Sequence, residues 1–381
     1  MKLKFITALL FLFLSCFVYG QEQTDSTTIK PSRNFIQKIV DYINGGDSTK
    51  QANNNAKWLF LGGPHYSTDS KLGLAIYGLM EFRLKGCDSL MQTSYVMTGV
   101  DFSTAGFWSV STSGNIFFPN DSKRINAELT IGYAPQYFWG IGYDMGDNDA
   151  NKCHLKKHEI KLKGDMLFRL ANNLYAGPSI GWNFFKSGEL ERPELLEGQD
   201  RTIHNYGFGL AAQYDSRDII QNASRGCLIY LSQMFYPKFL WNHYAFTTTD
   251  FRASVYHTAW KGAIIAAELR GLFNVGHPSW ANLAMLGNSS SMRGYYNGRF
   301  RDKCSMAAQV ELRQHIWKRN GIVAWVGVGN VFHDSATFRK LLPNYGLGYR
   351  FTLRPNMNLR IDYGFGKKGH NGFVMSVYES F

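Results

Sequence analysis

Charged residues make up only 18% of this 381-residue chain, where a soluble domain averages about 25%. Long apolar runs are also missing. Past residue 20 nothing approaches the roughly 20 apolar residues of a membrane-spanning helix, and the longest runs, 262–267 and 322–326, are strand-sized. Chemistry-bearing patterns are absent too. The ten histidines are dispersed, with no His-x-x-x-His helix and no carboxylate cluster, which excludes the common zinc sites. The spacing of Cys87, Cys153, Cys227 and Cys304 fits no zinc pattern either. There is no Gly-x-Ser-x-Gly element, and the serines 289–291 have no identifiable base. Residues 366–369, Gly-Lys-Lys-Gly, lack the order and strand-to-helix setting of a phosphate loop. No enzyme, cofactor or metal is expected. The net charge of +12 comes from basic residues scattered singly, without the clustered patch that nucleic-acid binding requires. Such residues suit a wet lumen or anionic lipid headgroups.

What the chain does have is an export signal, glycine and aromatic rings. Lys2 and Lys4 precede an apolar stretch from Ala8 to Val18, and cleavage before Gln21 defines a signal peptide over 1–20. Lipoprotein processing at Cys16 is a rival that the bulky flanking Phe13 and Phe17 fit poorly. The remaining 381 − 20 = 361 residues carry +12 − 2 = +10. The chain contains 38 glycines, and aromatics reach 15%. Exported, aromatic, glycine-rich and without a spanning helix, the chain is expected to be a β-barrel in the outer membrane of a Gram-negative bacterium.

Over 21–56 the chain is polar, except that Phe35, Ile36, Ile39, Val40 and Ile43 recur at helical spacing. A short amphipathic periplasmic helix is expected there. From residue 57 the period becomes two. In 158–170, Ile160, Leu162, Met166, Phe168 and Leu170 share one face, and Glu159, Lys161, Lys163, Asp165 and Arg169 share the other. Short turns at 85–89, 119–122, 172–173, 260–261, 318–320 and 354–356 alternate with loops near 143–154, 187–202, 237–246, 274–304 and 333–340. About 20 residues per strand and connection gives roughly sixteen strands over 57–381, an all-β antiparallel transmembrane barrel with short periplasmic turns and long external loops. In that topology Cys153 and Cys304 lie outside and Cys87 and Cys227 on the periplasmic side; same-side disulfides or free thiols both fit. Phe373, Met375 and Val377 lead to Phe381 on one face, interrupted by Glu379.

The loop at 274–304 is too long for an ordinary connection. It contains Met292-Arg293-Gly294-Tyr295, and here the chain resembles the BamA/TamA superfamily of outer-membrane barrels, the bacterial surface antigen family. In that family a loop between the eleventh and twelfth strands folds into the lumen with Val-Arg-Gly-Phe/Tyr at its tip. The resemblance implies that Arg293 bonds an inward acid, with Glu311 on the next strand as partner. A second family acid is expected where 327–329 reads Gly-Val-Gly; Asp362, on the fifteenth strand, is the substitute. Asp215, Arg217, Asp218 and Gly226 match a mid-barrel Asp-x-Arg-Asp…Gly segment, and 346–350 with 360–364 match a third near the end. The ending at Phe373, Val377 and Phe381 resembles the signal read by the outer-membrane assembly machinery.

Members that handle proteins carry periplasmic POTRA modules, and 21–56 is too short for one. The resemblance therefore implies a role in inserting or translocating protein, or lipid, at the outer membrane, with client outer-membrane or secreted proteins, a periplasmic partner supplying a POTRA-like function, contact with lipopolysaccharide and phospholipid, and a weak seam between first and last strands. The competing expectation is a passive pore constricted by loop 274–304 and lined by Lys161, Lys163, Arg350 and Arg360.

Overall fold

A computed structural model describes residues 57–381 except 68–69, 88–91, 221 and 355–356. The expected signal peptide and the helix around Phe35–Ile43 lie outside the described residues.

Period-two patterning produces strands wherever it was legible. The strands are β1 (Lys57–Ser67), β2 (Lys71–Phe82), β3 (Ser94–Ser103), β4 (Trp108–Phe117), β5 (Lys123–Phe138), β6 (Cys153–Ala171), β7 (Leu174–Leu190) and β8 (Thr202–Asp215). They continue as β9 (Gly226–Tyr236), β10 (Phe246–Trp260), β11 (Ala263–Gly276), β12 (Cys304–Trp317), β13 (Asn320–Phe332), β14 (Leu342–Arg354), β15 (Met357–Gly366) and β16 (Asn371–Val377). Each pairs antiparallel with its neighbours in sequence, and the order closes into a barrel. Closure is what lipid demands, because an unpaired backbone group in hydrocarbon costs several kcal/mol.

β12 shows how the alternation sorts side chains. Ser305, Ala307, Gln309, Glu311 and Arg313 are buried inside, whereas Val310 and Leu312 stand exposed on the outer wall. An outer wall of apolar side chains around a polar interior is the inverse of a soluble sandwich. No described helix is long and apolar enough to cross a membrane; the strands do the crossing.

Five of the eight connections at one end are long. They include α1 (Tyr143–Asp147) and α2 (Ser335–Phe338), and the longest, 277–303, spans 303 − 277 + 1 = 27 residues between β11 and β12. At the opposite end most connections are short, but 83–93 is longer than the turn expected at 85–89, and 216–225 is long as well. All four described cysteines are free thiols.

The closure is uneven. Every residue of β1 pairs with β2, from Lys57↔Glu81 to Ser67↔Lys71, but β1 meets β16 at the single pair Ser67↔Val374. β16 is only seven residues long, and after it Tyr378 takes a left-handed φ of 67° that turns the chain off the wall.

Candidate functional site

Loop 277–303 folds into the lumen, and its tip carries the Met292–Tyr295 motif. Met292 packs with Leu286, Tyr295, Phe300, Ala307, Val331 and Leu342 in one buried cluster, so the loop brings its own apolar core to the wall. The Tyr295 hydroxyl donates to the Pro343 carbonyl at 2.6 Å and accepts from the Lys367 amide at 2.8 Å. Asn344 donates to the Arg293 carbonyl. The carbonyls of Ser289 and Ser290 accept from Arg360 Nη2 at 2.6 Å and Gln309 Nε2 at 3.0 Å.

The Arg293 side chain is fully buried. Its Nη2 donates to Glu311 Oε2 at 2.6 Å and its Nη1 to Asp362 Oδ2 at 2.7 Å. The guanidinium thus sends one bond to each of two acids, Glu311 on β12 and Asp362 on β15. The guanidinium also lies over the Trp325 ring, 3.6 Å from its centroid, and Trp325 Nε1 donates to Asn344 at 2.9 Å. A charge out of water needs such partners, because an isolated buried ion is prohibitively costly; two carboxylates and a ring face meet this one, while its Nε has no hydrogen-bond partner.

The network extends well past Arg293. Arg350 Nη1 donates to Asp362 Oδ1 at 2.6 Å, and Arg313 Nε to Glu311 Oε1 at 2.7 Å. Arg360 approaches Asp362 at 3.6 Å. A third carboxylate, Glu379, lies 2.8 Å from Arg350 Nε and 3.7 Å from Arg313 Nε. Four guanidiniums thus share three carboxylates. Gly327, where the family acid was expected, is crowded: a side chain there would press on Ala308 and Gln309.

The motif glycine sits where two backbones touch. Gly294 has φ of 121°, a conformation only glycine adopts readily. Its amide and α-carbon rest against Gly364 and Gly372, which pair with one another across β15 and β16. Two glycines side by side form a notch in the wall, and the loop tip lies in it.

The chain end does not keep to one face. Phe373 and Met375 remain on the wall, and the side chain of Val377 is outside the described set. Phe381, expected on the same face, instead points into the lumen, its ring 6.2 Å from Tyr256 and 5.2 Å from the Arg313 guanidinium. Ser380 Oγ donates to Glu311 at 3.0 Å. The reason is Glu379. Continued along the wall, the strand would place a carboxylate among lipid-facing side chains; turned inward, it meets Arg313 and Arg350.

Asp215, Arg217, Asp218 and Gly226 do not join the Arg293 network. Arg217 grips Asp215 through two 2.9 Å bonds, and Asp215 lies 3.7 Å from Arg124. Asp218 accepts from the amides of Ile219 and Ser224 at 2.9 Å, and Gly226 turns the chain at φ of 92°. These residues shape and flank the connection 216–225, whose Ala223 is buried against Tyr256 and Ala266. Of the residues expected to line a pore, Arg350 and Arg360 are buried in the loop anchor. Lys161 pairs with Glu159 at 3.0 Å and Lys163 with Asp250 at 3.4 Å.

The long-loop rim holds a titratable contact. His333 Nδ1 meets Asp302 Oδ2 at 2.8 Å, and this bond, against modest burial, raises the histidine above its ordinary 6.5. A raised folded value means the pair supports the loop fully below the unfolded pKa and loses that support as pH rises through the folded one. Hydrogen exchange of amides 299–303 should therefore accelerate beyond its intrinsic pH dependence as pH rises above about 6.5. His333→Gln should abolish the excess; an excess that survives would sink the assignment.

The Omp85 superfamily domain matches residues 90–377. Among solved structures, BamA from Haemophilus ducreyi lacking POTRA domains 1-3 superimposes with a TM-score of 0.57 at 12% identity, over 85% of this chain and 70% of that one. CdiB from Escherichia coli gives 0.54 at 11% over 90% and 70%, and CdiB from Acinetobacter baumannii 0.52 at 11% over 86% and 60%. These identities speak for the fold alone. No curated protein matches the sequence. The family domain covers most of the barrel, from β3 to the last residue of β16, and so takes in the inward loop and both acids that meet Arg293; the chain belongs to the Omp85 superfamily.

Proposed function

We propose that this barrel inserts or translocates client proteins at the outer membrane. The β1 edge is its working surface and loop 277–303 is the brace that keeps the lumen in shape. The supporting observation is the seam: β1 pairs with β2 along its whole length but shares with β16 the one register pair Ser67↔Val374, beside which the Tyr66 and Phe373 rings lie 5.9 Å apart. An open edge in a membrane wall is a template for an incoming strand. Arg293, Glu311 and Asp362 hold the loop to β12 and β15, close to that edge. The long-loop end faces outward and the short-turn end the periplasm, where a partner supplies the POTRA-like docking. Lipopolysaccharide and phospholipid surround the outer wall. Phe373 and Met375 remain candidates for recognition of the folding chain.

Two measurements test this reading. Photocrosslinkers placed at 58–66 should capture nascent barrel strands during assembly, and capture only at wall positions away from the seam would sink it. In planar bilayers the wild-type protein should conduct little, and Arg293→Ala should raise conductance by releasing the loop. Large steady openings indifferent to Arg293→Ala would favour a passive pore instead.

A further inference from the structure

The outer wall of β4 to β7 carries a groove of about 320 Å³. Trp108, Ile131, Ile160 and Phe184 line it, with His158 and Lys186 at one end; Glu159 borders it too, but its carboxylate is held by Lys157 at 2.7 Å and Lys161 at 3.0 Å on the lumen face. Its polarity follows the membrane normal. On β6 the outward residues from Leu170 back to Ile160 are apolar apart from Gly164, a stretch of 170 − 160 + 1 = 11 residues. On β7 the outward set from Leu174 to Phe184 is equally free of charge. A tilted strand crosses the hydrocarbon in about 9–11 residues. The next outward positions are His158 and Lys186, so both stand where headgroups begin, at the long-loop side.

Register places them side by side. Tyr133 pairs with His158, His158 with Lys186, and Lys186 with Thr202, giving one row of polar side chains across four strands. His158 lies against the Tyr133 ring at 4.7 Å. Lys186 is exposed and has no ion-pair partner among the described residues. The neighbouring carboxylate, Glu189, is already taken by Lys156 at 2.5 Å.

The geometry points to a lipid site. A phosphomonoester-bearing glycolipid of the lipopolysaccharide type lays an acyl chain along Ile131, Ile160 and Phe184 and sets its phosphate between Lys186 and His158. Charge complementarity selects the occupant: an unpaired lysine beside a histidine suits a dianionic phosphate, and the uncharged groove beneath suits a chain joined to it. The site rests on the barrel being an outer-membrane protein, not on its handling of clients.

Native mass spectrometry of the folded protein in detergent tests it, with lipid A, dephosphorylated lipid A and inorganic phosphate as the three probes. Lipid A should be retained at one equivalent, and each of Lys186→Gln and His158→Gln should weaken it about fivefold. Lys163→Gln, on the lumen face, should not. Equal retention of the dephosphorylated lipid, unchanged retention in the Lys186→Gln/His158→Gln double variant, or displacement by inorganic phosphate at equal concentration would overturn the site. Heat-modifiable migration on gels reports separately that each variant is a folded barrel. A chain that never folds in bilayers would instead bring down the outer-membrane reading.

Discussion

Arg293→Ala is expected to cost about 3–5 kcal/mol of barrel stability, the range for removing one partner of a buried ion pair. The loss comes less from the attraction removed than from what stays behind. Glu311 and Asp362 are both fully buried, and neither can be rehydrated without opening the wall. Arg313 and Arg350 still face them at 2.7 and 2.6 Å, which places the loss toward the lower end. Arg293→Lys should not restore it, since a single ammonium cannot send separate donors to acids on two strands while stacking on Trp325. Urea unfolding in detergent micelles measures these differences. In a double-mutant cycle Arg293→Ala and Glu311→Ala should couple by about 0.5–3 kcal/mol; strictly additive losses would refute the pairing.

The second large effect needs no charge. A Cβ built at Gly364 would overlap the Arg293 carbonyl, a backbone atom that cannot swing aside, whereas one at Gly372 would stand 3.1 Å from the Gly294 α-carbon. Gly364→Ala must therefore lift the loop tip or bow β15, at a cost of about 1–3 kcal/mol or more, and Gly372→Ala should be milder. The distinguishing readout is proteolysis. Arg293 is 1% exposed, so trypsin should spare the following bond in the wild type and cut it readily in Gly364→Ala. If that bond stayed protected and the unfolding midpoint unmoved, the notch would be no constraint on the tip.

Pattern alone reached far in this chain, for a physical reason. A barrel wall imposes period two on every strand, so Glu311, Arg313, Arg350 and Asp362 could be assigned to the inner face without coordinates. The loop around Arg293 stood out by length, and the resemblance to the BamA/TamA superfamily supplied the partner acid on the next strand, Glu311, and the place of a second, for which Asp362 is the inward-facing substitute. Trp325, Asn344 and the glycine notch were out of reach. Each depends on which residues lie opposite one another across strands, and register is set by turns such as 318–319 whose geometry the alternation does not encode. The inward course of Glu379 was hidden differently. Period two treats 371–381 as one strand, and only the pull of Arg313 and Arg350 shows that the chain leaves the wall after Val377.

That departure leaves residues 378–381 with two addresses. Extending the Ser67↔Val374 register residue by residue would set Glu379 opposite Gly62 and Phe381 opposite Phe60, since 67 + 374 = 62 + 379 = 60 + 381. The same residues now hold Arg350, Glu311 and Tyr256 inside the barrel. They cannot occupy both places, so the edge of β1 and the charge network of the lumen are thermodynamically linked. A strand bound along β1 must favour the lumen arrangement by the same factor by which that arrangement favours the strand, and a change at Arg313 or Arg350 is felt at an edge that neither residue touches.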